Sequence, residues 1–182
     1  MGFHHTAFAT RDLAATHRFY RDVMGFELVK VVVAPTEGGG WAKHVFYEIS
    51  KDEYIAFWDL HDESLGTQWS PAISTGMGLP LWVNHIAFRS ADPGNLEARK
   101  RRWLDHGQIV HEIDHGWCRS VYTVDPNGIL VEFCTTTRAL TAADREEAQR
   151  LLADPRPSLE TPPQVIVHRP QAATATVQGS SA

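Results

Sequence analysis

Two histidines stand at the same place in two copies of one short apolar segment: His5 in FHHTAFAT and His85 in VNHIAFRS. A third polar group, Glu132, sits between Val131 and Phe133 in ILVEFCT. A carboxylate on an apolar strand is costly to bury unless something pairs with it. Two imidazoles and one carboxylate on one face, with coordination positions to spare, are the donor set of non-haem Fe(II) sites, and a metal would satisfy the acid. His4 adjoins His5, but side chains alternate along a strand, so His4 is expected to point the other way. Tyr122, ten residues before Glu132, falls on the strand expected to pair with it, and His115 precedes it in IDHGWCRSVY. A histidine titrates near neutrality and serves as acid, base or hydrogen-bond donor. Phe57, Trp58, Trp82, Trp117 and Tyr122 offer the walls of an apolar or aromatic cavity, and Asp59 shares the strand face of Phe57. The remaining motifs are weaker. Arg99-Lys100-Arg101-Arg102 reads as a solvated helix face. Gly38-Gly39-Gly40 lacks phosphate-loop spacing and reads as a mobile loop.

The elements that must hold these groups come in two copies. At a constant shift of 80 residues, His5 falls on His85, Ala7 on Ala87, Phe8 on Phe88 and Asp12 on Asp92. A helical pattern follows each copy. LAATHRFYRDVMGF carries Leu13, Phe19, Tyr20, Val23 and Met24 at helical spacing and stops at Gly25. NLEARKRRWLDHG carries Leu96, Trp103 and Leu104 and stops at Gly107. Strands are then expected in FELVKVVVA, KHVFYEIS and YIAFWDL, and again in QIVHEI, RSVYTV and ILVEFCT. The turn Asp125-Pro126-Asn127-Gly128 is a strong hairpin signal, because Asn-Gly tolerates left-handed backbone. Laid together without a gap, the hairpins place Tyr47 on Tyr122, Ile55 on Leu130 and Phe57 on Glu132. Each half therefore reads βαβββ. Such a unit leaves a sheet face bare, so two units sharing an interior is the economical α+β arrangement.

The expected organisation is module one over 1–62, a Gly-, Ser- and Pro-containing linker over 63–81 and module two over 82–137. A helix is expected over 138–154, opened by a capping arrangement at Thr141-Ala-Ala-Asp144. A flexible Pro-containing tail is expected over 155–182. The formal net charge of −5 disfavours nucleic-acid binding. No apolar run approaches the roughly 20 residues of a membrane helix, so no membrane partner is expected. Two cysteines and no visible signal peptide point to a reduced, cytoplasmic protein.

The segments HTAFATRDLAATHRFYRDVMGFEL, VNHIAF and VYTVDPNGILVEF resemble the vicinal oxygen chelate superfamily, which includes glyoxalase I, bleomycin-resistance proteins and type I extradiol dioxygenases. The resemblance spans about Phe3 to Thr135. It implies a curled mixed sheet around a metal-binding cavity, with ligand positions at His5, Phe57, His85 and Glu132. Three of these bind metal and Phe57 does not. A glyoxalase I pattern would call for a second acid at Phe57. The extradiol pattern takes its ligands in the order His5, His85, Glu132, and it implies a substrate-contacting role for Tyr122. That pattern also uses an acid–base histidine at the end of the first unit, where this chain offers none before His61 and otherwise only His44 on the preceding strand. The resemblance thus implies an Fe(II) dioxygenase acting on a catechol-like or enediol small molecule with O2. Mn, Zn, Ni or Co are alternative metals. A glyoxalase-type isomerase or lyase, or a metal-free drug-binding protein, are the alternative functions. A homodimer is implied, with the pairing of modules within or between chains left open.

Overall fold

A computed structural model describes residues 2–171. It shows two mixed sheets, each with a helical segment against one face. Module one runs β1 (His5–Thr10), α1 (Leu13–Arg18), β2 (Glu27–Pro35), β3 (Trp41–Ser50) and β4 (Glu53–His61). Module two runs β5 (His85–Arg89), α2 (Pro93–Asp105), β6 (Val110–Asp114), β7 (Cys118–Val124) and β8 (Leu130–Thr136). The strand orders are β1-β4-β3-β2 and β5-β8-β7-β6, so the sequence repeat is a repeat of topology. In each module the first and last strands pair in parallel and the rest antiparallel.

The same local chemistry starts both helices. Asp12 and Asp92 occupy equivalent caps, and their Oδ1 atoms accept from the backbone N–H of Ala15 and Asn95, each at 2.8 Å. Pro93 opens α2, where its fixed φ and missing N–H cost nothing. The first helical pattern is not α throughout: after Arg18 it widens into a π-helical turn, Phe19–Val23. Gly25 then ends it at φ +76°, a backbone that favours glycine.

One core spans both modules. Tyr20 lies against Phe57 with ring centres 4.5 Å apart, Phe26 against Phe88 at 5.1 Å, and Trp103 against Phe133 at 5.1 Å. Polar bonds cross the same seam. Tyr20 Oη donates to Asp125 at 3.0 Å, and Asn127 Nδ2 donates to Thr16 Oγ1 at 3.2 Å. Arg102 donates to the carbonyls of Asp22 and Val23, capping the π-helical turn. Lys100 pairs with Glu97 and Glu112. The basic run on α2 is therefore not a solvated face, because three of its four side chains hold structure. Nor is the triple glycine a free loop. A Cβ at Gly40 would lie 2.1 Å from the His61 carbonyl oxygen, so the chain packs too closely there for any other residue.

After module two, α3 (Ala142–Ala153) begins with a reciprocal capping box between Thr141 and Asp144 and buries none of its residues. The tail is more ordered than its composition suggests. β9 (Val165–His168) pairs antiparallel with β6 and extends the second sheet to five strands. The run Val165-Ile166-Val167 has β-branched side chains that suit a strand, and β6 would otherwise be an open edge. The part of the expected flexible tail at 172–182 lies outside the described residues. Among the described residues no helix is long and apolar enough to cross a membrane, and both cysteines are free.

Candidate metal centre

Each sheet has a core face and an opposite face, and the register decides which residues occupy the second. In module two, Ala87 pairs with Glu132, which in turn pairs with Tyr122. Paired residues point to the same side, so His85, Ala87, Glu132 and Tyr122 share this outer face. Glu132 is only 5% exposed. Its Oε2 lies 3.1 Å from His85 Nε2. His85 Nδ1 lies 3.1 Å from the Trp82 carbonyl oxygen. That oxygen only accepts, so Nδ1 carries the proton. The neutral imidazole then turns an Nε2 lone pair toward a carboxylate, an arrangement that needs a cation between the two or a second proton on the ring. A ring N–H fixed on a backbone carbonyl with the other nitrogen presented outward is the usual setting of a metal-ligating histidine.

Tyr122 Oη lies 3.1 Å from His115 Nε2. Burial, and then the charge of Glu132, push the phenol up to about 12, so it keeps its proton through the neutral range. The structure thus brings four expected residues together: His85, Glu132, Tyr122 and His115.

His5 lies on the outer face of the other sheet. Its neighbours are His4, with the two Nδ1 atoms 2.8 Å apart, and the rings of Phe46 and His44 at 5.5 and 5.9 Å. Among the described residues no three His, Cys, Asp or Glu side chains converge within one chain. His44 is the residue that the sequence undervalued. It stacks on Trp58 at 3.9 Å, and its buried Nε2 has no hydrogen-bond partner. Burial, then His5, hold it below the ordinary histidine range and so neutral near pH 7. The alternation of His44 with Phe46 along β3 was the available signal.

Two expectations for the substrate wall are corrected. Ala7 pairs with Ala56 as Ala87 pairs with Glu132, so the counterpart of Glu132 is Ala56 rather than Phe57. The two hairpins pair in one register, Phe46 with Ala56 as Tyr122 with Glu132 and Glu48 with Tyr54 as Val124 with Leu130, one residue off the alignment that places Tyr47 on Tyr122. A slip of one residue exchanges the faces of a strand. Phe57 is fully buried in the core beneath Tyr20. Asp59 also lies on the core face, 2.9 Å from His61 and 4.0 Å from Lys43. Trp82 contributes its carbonyl, while its indole is largely exposed. Trp117 is in the β6–β7 turn with His115, and its carbonyl accepts from Thr137 and Arg138.

The chain belongs to the Glyoxalase/Bleomycin resistance protein/Dioxygenase superfamily, whose family model matches residues 2–133. Among solved structures it is similar to the fosfomycin resistance protein FosX from Mesorhizobium loti, at 23% identity and a TM-score of 0.52, over 80% of this chain and 97% of that one. It is similar also to TnmS3, an antibiotic binding protein from Streptomyces sp. CB03234, at 16% identity and 0.51, over 75% and 97%. A glyoxylase/bleomycin resistance protein/dioxygenase domain from Frankia sp. EAN1pec matches at 14% identity and 0.53, over 75% and 98%. These likenesses are of fold. No curated protein matches the chain.

Proposed function

We propose that this protein is a divalent-metal enzyme acting on a small molecule with two neighbouring oxygens, and that Fe(II)-dependent oxygenation of a catechol-like or enediol substrate is its reaction. The observation that carries the reading is His85 Nε2 lying 3.1 Å from the buried Glu132 carboxylate while Nδ1 faces the Trp82 carbonyl. These donors suit a divalent ion, and His5 is the third. The ion supplies Lewis acidity and a template for two substrate oxygens. Ala56, where a second acid would stand in a four-ligand site, leaves coordination positions open, which favours oxygenation over isomerisation. Ala7, Ala56 and Ala87 keep the centres of both outer faces clear for substrate. Tyr122, protonated and paired with His115, is placed to give or hold a proton beside the substrate oxygens. Neutral His44 beside His5 is placed to accept one.

No third donor joins the His85–Glu132 pair among the described residues of one chain, and His5 of the partner subunit completes each site in a homodimer. The outer faces have apolar surface to cover: Val32, Val124, Val165 and Val167 are each more than a third exposed. Such self-complementary faces suit a two-fold pair.

Anaerobic purification, loading with Fe(II), metal analysis and oxygen uptake on a panel of catechols test this reading. The expected result is stoichiometric metal and substrate-dependent oxygen consumption. Metal uptake with turnover but no oxygen consumption gives the isomerase or lyase reading. Ligand binding without metal uptake gives a binding protein, as the antibiotic binding protein TnmS3 is.

A further inference from the structure

A second feature reaches from the metal donors into the seam between the modules, with His85 on its wall. β1 and β5 are the end strands of their sheets, and their free edges line a cavity of about 1160 Å³. Its walls are apolar, chiefly Phe8, Phe26, Ile73, Ile86, Phe88 and Phe133. Two guanidinium groups line it as well, Arg99 and Arg89. Arg99 is half-buried, its guanidinium carbon 4.8 Å from the centre of the Phe133 ring. Nη1 donates to the Met24 carbonyl at 3.1 Å, and among the described residues no carboxylate reaches Arg99 or Arg89. Arg102, the neighbouring cation on the same helix, spends its donors on backbone carbonyls.

Charged groups in apolar surroundings are ordinarily paired, because leaving them unpaired costs free energy. Here the pairing is missing next to an open apolar space. The cavity's one carboxylate, Glu53, accepts from Ser50 and disfavours a doubly charged guest. We propose that this cavity binds an amphiphilic carboxylate, its head on Arg99 with Arg89 at the rim and its hydrocarbon body along Phe8, Ile86 and Phe88. A planar guanidinium matches a carboxylate in two parallel hydrogen bonds. The exposed Phe3, Met77 and Val83 form the mouth, so the guest enters head first.

Calorimetric titration of decanoate and of decanol into the full chain, stripped of metal by a chelator, tests the assignment. Decanoate is expected to bind one per chain, at least tenfold more tightly than decanol, and equally well to Glu132→Gln, which separates this site from the metal centre. Arg99→Gln is expected to remove the preference for the acid, and Arg99→Lys to keep part of it. Arg89→Gln, which loses no contact, is expected to weaken decanoate several-fold, and Val83→Trp to block it at the exposed mouth. These last two decide the matter if Arg99→Gln fails to fold. Equal affinity for decanol and decanoate, no binding of either, or decanoate binding that survives both Arg89→Gln and Val83→Trp overturns the proposal.

Discussion

The His85–Glu132 pair gives the sharpest test at the level of single residues. Glu132→Gln keeps size and strand propensity and removes the charge. If the pair were only a protonated histidine against an acid, this change would leave metal content untouched. The metal reading expects affinity to fall by more than the roughly tenfold to hundredfold of an outer-shell change, since a ligand itself is lost, as metal titration will show. Tyr122→Phe separates binding from chemistry. Metal content stays normal while turnover drops by about a hundredfold or more, because a protonated phenol beside the substrate is gone. The His85–Glu132 pair was foreshadowed in the chain, because His85 stands where His5 does in the first copy and Glu132 stands alone among apolar neighbours, whereas His5 itself lies on the other sheet. Phe57 was misplaced for a local reason. Matching Tyr47 to Tyr122 sets the two hairpins one residue out of step, since Phe46 is the residue that pairs as Tyr122 does, and one residue of slip is enough to turn a wall of the site into the core. His44 was undervalued because nothing in a strand pattern reports that its Nε2 lacks a partner.

Among the elements, β9 is the piece most dependent on charge. Glu112 is 7% exposed and holds His168 of β9 at 2.8 Å, along with Lys100 at 2.9 Å and Arg119 at 3.3 Å. Burial alone would raise its carboxyl, but bonds from Lys100 and His168 and the charges of Lys100 and Arg119 outweigh it and hold the group below its ordinary range. Glu112 is thus more acidic in the folded chain than in the unfolded one. Its contribution is complete above the ordinary value of 4.5 and is lost as pH falls through the depressed folded value. Hydrogen exchange is therefore expected to show β9 losing protection below that range while β7 and β8 keep theirs. Glu112→Gln should loosen β9 at neutral pH and cost about 1–3 kcal/mol in denaturant unfolding, since it removes the carboxylate that holds His168 and one of the two partners of Lys100. The alternating strands and capped helices of both modules were legible because period and punctuation agree there. β9 was not, because four residues in a proline-rich tail are too few to show a period, and only the open edge of β6 gives them a role.

For the whole molecule, a site shared between copies makes a prediction that no single-chain site shares. His5→Ala and Glu132→Gln are each expected to be inactive alone. Unfolded and refolded together in equal amounts, they should recover about a quarter of the wild-type sites, since half the dimers are mixed and each holds one intact site. No recovery would mean that each chain supplies all three ligands itself. Truncation after Thr137 is expected to leave metal affinity unchanged, because α3 and β9 carry none of the donors. It uncovers the edge of β6, so size-exclusion chromatography should show altered association. Module two opens at Trp82, whose carbonyl aims His85. A contact made by the backbone is indifferent to which side chain the position bears. Selection acting on it would be blind to the letter at 82 and strict about the count of residues from 82 to 85. Tryptophan there is free to drift across descendants of this chain, while a one-residue insertion or deletion in that short interval would disarm the ligand, so inheritance should preserve spacing where it does not preserve identity.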